Sequence, residues 1–507
     1  MSILHDPKFS HVALACQEEE PNDREIEMMI DDVIFQLYGP EGLRRLVKPG
    51  DHVVIKTNVV CCWQRKRGEK GRGVITDPRV TRYVAEKIRE IIGWGNGSDL
   101  KVVDCVFSPS KNPSQFFNTV SFHWARLNRV PDNTVSPEDI TYDYEGNGVL
   151  DGKSGAELVN LDGIDADGRD LHMVTLANGR TIPVAWPRFL RRKEEATDGG
   201  DYTDVFIGLP VFKNHGFMGC TGSLKLHYGM RDLRAHFGDT GRRGHSGMFS
   251  VSQNGTLTPE SRELMCDYLA AQHKIRTYDL VIMDCLTANR AGPCSRNGAV
   301  SLTPDPNEAV DYILTNAIMG STDPVAIDTV ETAFGGYDAA SIPMPRIAAE
   351  NQIGVTNPEQ ILVNGLARLR YQRARVAEKY APEGRYPLST MGNAVPVEDY
   401  LPNYTVHMEH FTVKPDEDGL HHVKYVVQVP EGVDPKLCRI DLVVAGQVRQ
   451  SLTGEDMKLE GEFTFRHSDY DNLGGAYVVG YVAAWDRMFN CVLSDWEFYI
   501  PPDGCQD

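Results

Sequence analysis

The chain of 507 residues is short of several common signatures. It has eleven cysteines but no CxxC pair, and only Cys61 and Cys62 stand together. Thiols scattered through a chain this long do not make the disulfide framework of a small secreted domain. They read as reduced, mostly buried groups, and a cytoplasmic protein is expected. The opening MSILHDPKFSHVALACQEEE has no basic start and no apolar core, so no signal peptide is expected. No apolar run approaches the length of a membrane span, so no membrane partner is expected. HExxH and HxH spacings are missing, which removes the strongest metal signatures. Positive charge is scarce: 52 Lys and Arg face 71 Asp and Glu, for a net charge of -19. A negative whole-body field disfavours nucleic acid and anionic membrane as partners and favours solubility. There is no short-period repeat and no low-complexity tract.

What is present is an alternation of strand-like and helix-like segments. HVALAC (11–16), DHVVIKTNVV (51–60), LKVVDC (100–105), YTDVFIGLPVF (202–212) and YDLVIMDCLTA (278–288) read as buried strands. REIEMMIDDVIFQLYG (24–39) has apolar residues at helical spacing. TDPRVTRYVAEKIREIIG (76–93) is the clearest helix: Asp77 caps it, Pro78 suits its first turn, Val80, Val84, Ile88 and Ile91 share a face, and Gly93 stops it. STDPVAIDTVETAFGG (321–336) repeats the Asp-Pro start with Asp323. Strands separated by amphipathic helices predict an α/β fold with a mostly parallel sheet flanked by helices, whose ligands collect beyond the carboxyl ends of the strands.

Two stretches depart from this pattern. Residues 106–200 are rich in Gly and Asp and read as an irregular insertion within a first domain of residues 1–390. After the proline- and glycine-rich stretch 380–404, short β-rich runs such as HHVKYVVQV, RIDLVVAG, GEFTFRH, AYVVGYVAAW and DWEFYI predict a β-sandwich of immunoglobulin or fibronectin type III kind over 400–507.

The chemistry concentrates in VFKNHGFMGCTGSLKLHYGMRDLRAHFG (211–238). From Lys213 to His245 six Lys and Arg face two Asp, against the sign of the chain. Gly216, Gly219, Gly222 and Gly229 allow backbone to approach a ligand, and exposed N–H groups can form an anion nest. The spacing is neither that of a P-loop nor that of a dinucleotide-binding GxGxxG, so no Rossmann-type nucleotide is expected. Lys213, Lys225, His215 and His227 are the candidate catalytic residues. Lys56, Asn58, Thr221, Gly222, Arg231 and Arg234 are the candidates to bind the substrate, since Lys gives a point charge and Arg a two-pronged grip on carboxylate or phosphate. A divalent metal is a candidate cofactor through His215, His227, Asp104 and Asp284 if the fold brings them together. Arg65 to Arg72 form a basic, glycine-flanked loop that reads either as a lid or as a solvated surface.

The order of VVIKTNVV, TDPRVTRYVAEKIRE, LKVVDC, LPVFKNHGFMGCTGSLKLHYG, LVIMDCLTANRAGPCSRNG and ILTNAIMGSTDPVAIDTVETAFGG resembles the DUF362 family over roughly residues 10–365. The family's IKPN, TDP, K-x-H, TGxxKN, GP-x-x-G and DPVAxD pieces fall on Lys56-Asn58, Thr76-Asp77, Lys213-His215, Thr221-Gly222-Lys225, Gly292-Pro293 and Asp323-Pro324 with Asp328. Thr57 replaces the usual proline and Leu226 the usual asparagine. The ferredoxin-like Cys clusters of many relatives are missing here, so the resemblance implies no iron–sulfur cofactor. It implies a fold and a site but no reaction. The expected function is an enzyme acting on a small carboxylate or phosphate, with or without a metal, of isomerase or lyase type; a hydrolase is equally compatible with the residues. The competing expectation is a non-catalytic anion- or metal-binding scaffold. In either case a homo-oligomer or another partner could assemble through the C-terminal module.

Overall fold

The computed structural model describes residues 6–58, 73, 75–104, 140–142, 148–150, 154–161, 164, 166–215, 219–230, 259–289, 312–365, 400–401, 403–411, 415–466 and 478–499. Its body is one mixed sheet between two helical layers. The central strands are β1 (Ser10–Cys16), β2 (His52–Thr57), β3 (Asp99–Asp104), β4 (Glu157–Asn160), β5 (Val205–Leu209), β6 (Val211–His215), β7 (Leu280–Asn289), β8 (Tyr312–Ser321) and β9 (Ile361–Asn364). They lie in the order β9-β1-β8-β7-β5-β2-β3-β4, and β6 pairs with the far half of β7. Of the eight strands in that order, β8 alone runs against the others. The parallel stretch β7-β5-β2-β3-β4 therefore points its carboxyl ends to one side of the body.

The helices form where the sequence signals them. α1 (Asp23–Tyr38) starts with a capping box of Asn22 and Glu25. α2 (Pro78–Ile92) is capped by Asp77, whose side chain accepts from the Arg79 N–H, and ends at Gly93 with φ 82. Val80, Val84, Ile88 and Ile91 are all buried, as their spacing predicts. α1 and α2 cover one face of the sheet: Ala13, Ala15, Val53 and Ile55 pack with Ile30, Val33, Val84 and Ile88. The other face carries Val12, Leu14, Val54 and Phe206 under α3 (Gly222–Leu226), α4 (Pro259–Ile275), α5 (Pro324–Phe334) and α6 (Pro343–Glu350). The alternation along β1 and β2 is what sends successive residues to opposite layers.

Two expectations are corrected. The run 202–212 is not one strand: it breaks at Pro210, where the chain leaves β5, paired with β2, and enters β6, paired with β7. Proline lacks the N–H that a continuous central strand would use. Residues 106–200 are not wholly an insertion outside the core either. β4 extends the parallel sheet beside β3, and Arg169–Thr175 pairs with Thr181–Pro187 in a hairpin.

The C-terminal module consists of two antiparallel sheets. One holds β10 (Thr405–Phe411), β11 (His421–Gln428) and β14 (Glu460–Phe465). The other holds β12 (Leu437–Val444), β13 (Gln447–Thr453) and β15 (Val478–Asp486), with Cys491–Leu493 and Glu497–Tyr499 beside β15. Ile440, Leu442, Val444, Val482 and Ala484 share a core with Val423, Tyr425 and Phe463 across the two sheets. The opposite face of the second sheet is buried too, because Val443, Val448, Tyr481 and Trp485 join the core of the body.

Candidate functional site

The carboxyl ends of β2 and β3 place Lys56 and Asp104 side by side. Both are buried, and Lys56 Nζ donates to Asp104 Oδ1 at 2.5 Å and to the Thr57 carbonyl at 2.6 Å. Gly229 lies directly against this pair. A Cβ there would come within 3.1 Å of Asp104 Oδ1 and 3.2 Å of Lys56 Nζ, so only glycine allows this approach without a shift. Lys213 on β6 is wholly buried, and its Nζ donates to Asn58 Oδ1 at 3.4 Å. Asn58 follows Thr57, the last residue of β2. Lys56, Asn58, Asp104 and Lys213 therefore form one buried polar group at the end of the sheet where α/β folds bind ligands.

The motifs around it hold it rigid. The Thr76 hydroxyl donates to the Leu209 carbonyl and accepts from the Asn58 N–H, tying β2, β5 and the start of α2 together. Asp284 accepts from the Asp77 and Leu286 N–H groups at 2.7 and 3.0 Å. Burial, with Asp77 nearby, pushes the Asp284 carboxyl up to about 7.

The Thr221-Gly222 turn does form a nest of backbone donors, and the protein's own Asp328 fills it. Asp328 accepts from the Ser223 and Leu224 N–H groups at 2.6 and 2.9 Å and from the Ser223 hydroxyl at 2.8 Å. Gly222 has φ +36, and a Cβ there would sit 2.4 Å from Asp328 Oδ2. Burial pushes Asp328 up to about 7 in spite of these donors. The glycine thus serves the junction of α3 and α5. Asp323 likewise caps α5, accepting from the Val325 and Ala326 N–H groups and from Ser10.

His227 is fully buried, with Nε2 2.6 Å from the Arg276 carbonyl. A carbonyl can only accept, so Nε2 carries the proton and Nδ1 keeps its lone pair. No described group reaches Nδ1. Burial first, then His273 and Lys56, keep this imidazole neutral by holding its pKa well below the usual value. His273 stacks on it with ring centroids 3.6 Å apart, and burial brings His273 down to about 4. Tyr278 meets His227 edge-on at 4.5 Å. Burial, Asp104 and Asp328 raise its pKa far above normal, so its hydroxyl stays protonated. Sequence reasoning missed Tyr278 and His273, and their segments carry no signal beyond residue type.

The remaining candidates separate. Lys225 is half-buried on α3 with Nζ 5.3 Å from the centre of the Tyr228 ring. Thr221 is buried and donates its N–H to the Lys213 carbonyl, so it braces β6. His215 ends β6 opposite Gly219. Its side chain, Arg231, Arg234, the loop 65–72, Cys61, Cys62, Gly292 and Pro293 lie outside the described residues. The metal candidates that are described are not brought together: Asp104 holds Lys56, Asp284 holds two backbone N–H groups, and His227 donates to a carbonyl. Among the described residues no group of three His, Cys, Asp or Glu side chains could hold a metal ion. Among them, too, no helix is long and apolar enough to cross a membrane.

Residues 144–333 match the family model of a domain of unknown function, DUF362. That match takes in Lys213, His227, Asp284 and Asp328 and begins after Lys56, Asn58 and Asp104. No curated protein matches the chain. Among solved structures, the fibronectin(III)-like modules of Clostridium thermocellum CbhA align at 13% identity over 19% of this chain and 95% of that one, with a TM-score of 0.13. The M60 catalytic domain of Clostridium perfringens ZmpC, in complex with the sialyl T antigen, aligns at 14% identity over 34% of this chain and 33% of that one, with a TM-score of 0.14.

Proposed function

We propose that the chain is an enzyme of isomerase or lyase type acting on a small anionic substrate, a carboxylate or a phosphate, at the carboxyl ends of β2, β3 and β6. One observation carries this reading: two lysines are buried at this end of the sheet, Lys56 on Asp104 and Lys213 on Asn58. Lysine is rarely buried without a task, because its charge is costly to desolvate. Lys56 has a counter-ion in Asp104, and among the described residues two of its three ammonium protons have acceptors. The third is available to an incoming anion. Neutral His227 offers Nδ1 as a base, and the protonated Tyr278 hydroxyl offers an acid. No step in this reading passes through a metal.

We read the C-terminal pair of sheets as an immunoglobulin- or fibronectin-like sandwich, supported by two antiparallel sheets around one core. A cytoplasmic location is supported by Cys266, Cys285 and Cys438, which form no disulfide among the described residues.

The reading is tested by thermal-shift screening of organic carboxylates and phosphates against the wild type and the Lys56→Met, Asp104→Asn double variant. The double change avoids leaving Asp104 buried without its partner. Stabilisation of the wild type alone supports the anion site. Equal stabilisation of both proteins places the ligand elsewhere.

A further inference from the structure

Six Asn-Gly dipeptides occur in the chain, and three of them, at Asn96, Asn178 and Asn364, lie among the described residues. In such a pair the glycine nitrogen can reach the carbonyl carbon of the asparagine side chain, because glycine has no Cβ to hinder the approach. The three differ in what holds that nitrogen. Gly365 donates its N–H to the Gly446 carbonyl at 3.3 Å, and Asn364 is wholly buried with its amide bonded to Gln36 and Val448. Gly179 donates to the Leu176 carbonyl at 2.8 Å. The Gly97 N–H has no acceptor among the described residues, and a Cβ built on Gly97 would meet nothing within 4 Å. Asn96 and Gly97 are both exposed, in the turn between α2 and β3. The Asn96 amide itself is held in place: Oδ1 accepts from the Ser98 N–H at 3.2 Å, and Nδ2 donates to the Ile92 carbonyl at 2.7 Å.

We propose that Asn96 is a site of self-modification, where the Gly97 nitrogen closes a succinimide ring and water opens it to aspartate or isoaspartate. The Gly97 N–H gives its proton to hydroxide, and the nitrogen attacks Asn96 Cγ. The carbonyl electrons move onto Oδ1, where the Ser98 N–H stabilises the charge as an oxyanion donor does. They return as Nδ2 takes a proton from water and leaves as ammonia, which regenerates the hydroxide. Water then adds to one imide carbonyl. Breaking the bond from nitrogen to Cγ leaves aspartate, and breaking the bond to the main-chain carbonyl carbon leaves isoaspartate. In net terms one asparagine and one water give one acidic residue and one ammonia, so water is the co-reactant and nothing is oxidised or reduced.

The change acts on the end of α2. Nδ2 caps the Ile92 carbonyl, one of the last-turn acceptors of that helix. The neighbouring Gly93 carbonyl accepts from Arg89 and from the Ser98 hydroxyl, so the turn is tied to the helix at several points. The product has no donor for Ile92 and puts an anion at a helix C-terminus, where the dipole disfavours it. Aged protein is therefore expected to melt below fresh protein.

The experiment ages full-length protein at mildly alkaline pH, folded and in denaturant, and follows its tryptic peptides by mass spectrometry. In the folded protein the peptide 90–101 should change from amide to acid faster than the peptides carrying Asn178 and Asn364, by about tenfold or more, which is the effect of roughly one hydrogen bond on a rate. In denaturant the three should convert at similar rates. Conversion led by Asn178 or Asn364 in the folded protein, equal rates there, or an unchanged Asn96 would overturn the assignment. Asn96→Asp, made directly, should show the lowered melting temperature without ageing, and an unshifted melt would overturn the role given to the Ile92 cap.

Discussion

Two buried cation–carboxylate pairs sit in this molecule, and they are built differently. Lys56 and Asp104 lie at the carboxyl end of the parallel sheet. Arg439 and Asp441 lie where the C-terminal module meets the body. Arg439 spends its fork on structure: Nε donates to Asp441 Oδ2 at 2.8 Å, and Nη1 donates to the Pro358 and Ile361 carbonyls of the body. Its guanidinium also lies over the Trp485 ring at 4.7 Å. Asp441 is held further by the Ser451 hydroxyl at 2.7 Å. Around this pair, Gln447 donates to the Phe35 and Gln36 carbonyls, and the Val448 N–H donates to Asn364 on β9. The module therefore covers the β9 edge of the sheet, an edge that would otherwise be open to pairing. Lys56 is a point charge backed by a glycine, and among the described residues two of its three protons have acceptors. The Arg439 pair fastens two parts of one chain, whereas the Lys56 pair is the one proposed to meet an anion.

That contrast sets the largest expected effect. Arg439→Met leaves Asp441 in the junction without its cation, which should cost about 3–5 kcal/mol in chemical denaturation. The Arg439→Met, Asp441→Leu double variant should recover most of that loss, because well-packed apolar residues replace buried pairs at little cost. Its anion-induced thermal shift should match the wild type. The Lys56→Met, Asp104→Asn variant should do the reverse, folding at near wild-type stability with no anion-induced shift. Should both double variants lose the shift, or both keep it, the distinction between the two pairs fails.

Next in size are the two glycines. Gly222→Ala puts a Cβ into Asp328 at a positive φ and should cost on the order of 3 kcal/mol. Gly229→Ala meets the Lys56–Asp104 pair at 3.1–3.2 Å, so a small displacement suffices and about 1 kcal/mol is expected. The informative readout is the anion-induced shift, which Gly229→Ala should shrink and Gly222→Ala should leave in place. A shift unchanged in Gly229→Ala would separate this turn from the ligand site.

How much of this could be read beforehand varies with the range of the interaction. α2 was fully legible, because Asp77, the Val80-to-Ile91 face and Gly93 are local signals. The polar group was partly legible, since Lys56, Asn58 and Lys213 stand in recognisable strand-end motifs. The reversal of β8 was not, because direction in a sheet is decided by partners far away in sequence. The turn at Gly222 was legible as an unusual backbone, but its occupant, Asp328, lies 105 positions away from Ser223. The Arg439–Asp441 pair did leave a trace. LCRIDLVV is a strand in which Arg439 and Asp441 share the face of Val443, and two charges on a doubly buried strand are a signal that they meet each other.

Proton linkage gives the next effect. The folded pKa of Asp284 and of Asp328 is raised to about 7, above the unfolded value of about 3.9. The folded state therefore holds protons that the unfolded state has already released. This contribution is fully present below pH ~4 and is lost as pH rises towards 7, by an amount on the order of a few kcal/mol per group. Asp328→Asn cannot ionise, so its plot of stability against pH should be flatter than that of the wild type between pH 4 and 7. Parallel plots would mean that the donors at Ser223 and Leu224 keep Asp328 ionised throughout.

The smallest effect comes from the exposed surface of the module, where His422 bridges Asp416 and Glu462 at 2.8 Å on either side. Hydrogen bonds to the two carboxylates, Asp416 first, raise its pKa. The sign follows as for any cation favoured by folding: the contribution is complete below pH ~6.5 and disappears as pH rises through the folded value. Solvent screens such a pair strongly, so His422→Gln should change the melting temperature very little at any pH. The contrast with Arg439 is the point of the measurement. The two cations belong to one module, and each is bonded to a carboxylate at 2.8 Å. They differ in exposure to water, and Arg439 also reaches the Pro358 and Ile361 carbonyls. If His422→Gln were to destabilise the protein as much as Arg439→Met, burial would not explain the strength of the Arg439 pair, and the view of the module as a fixed cap on the sheet would lose its energetic basis.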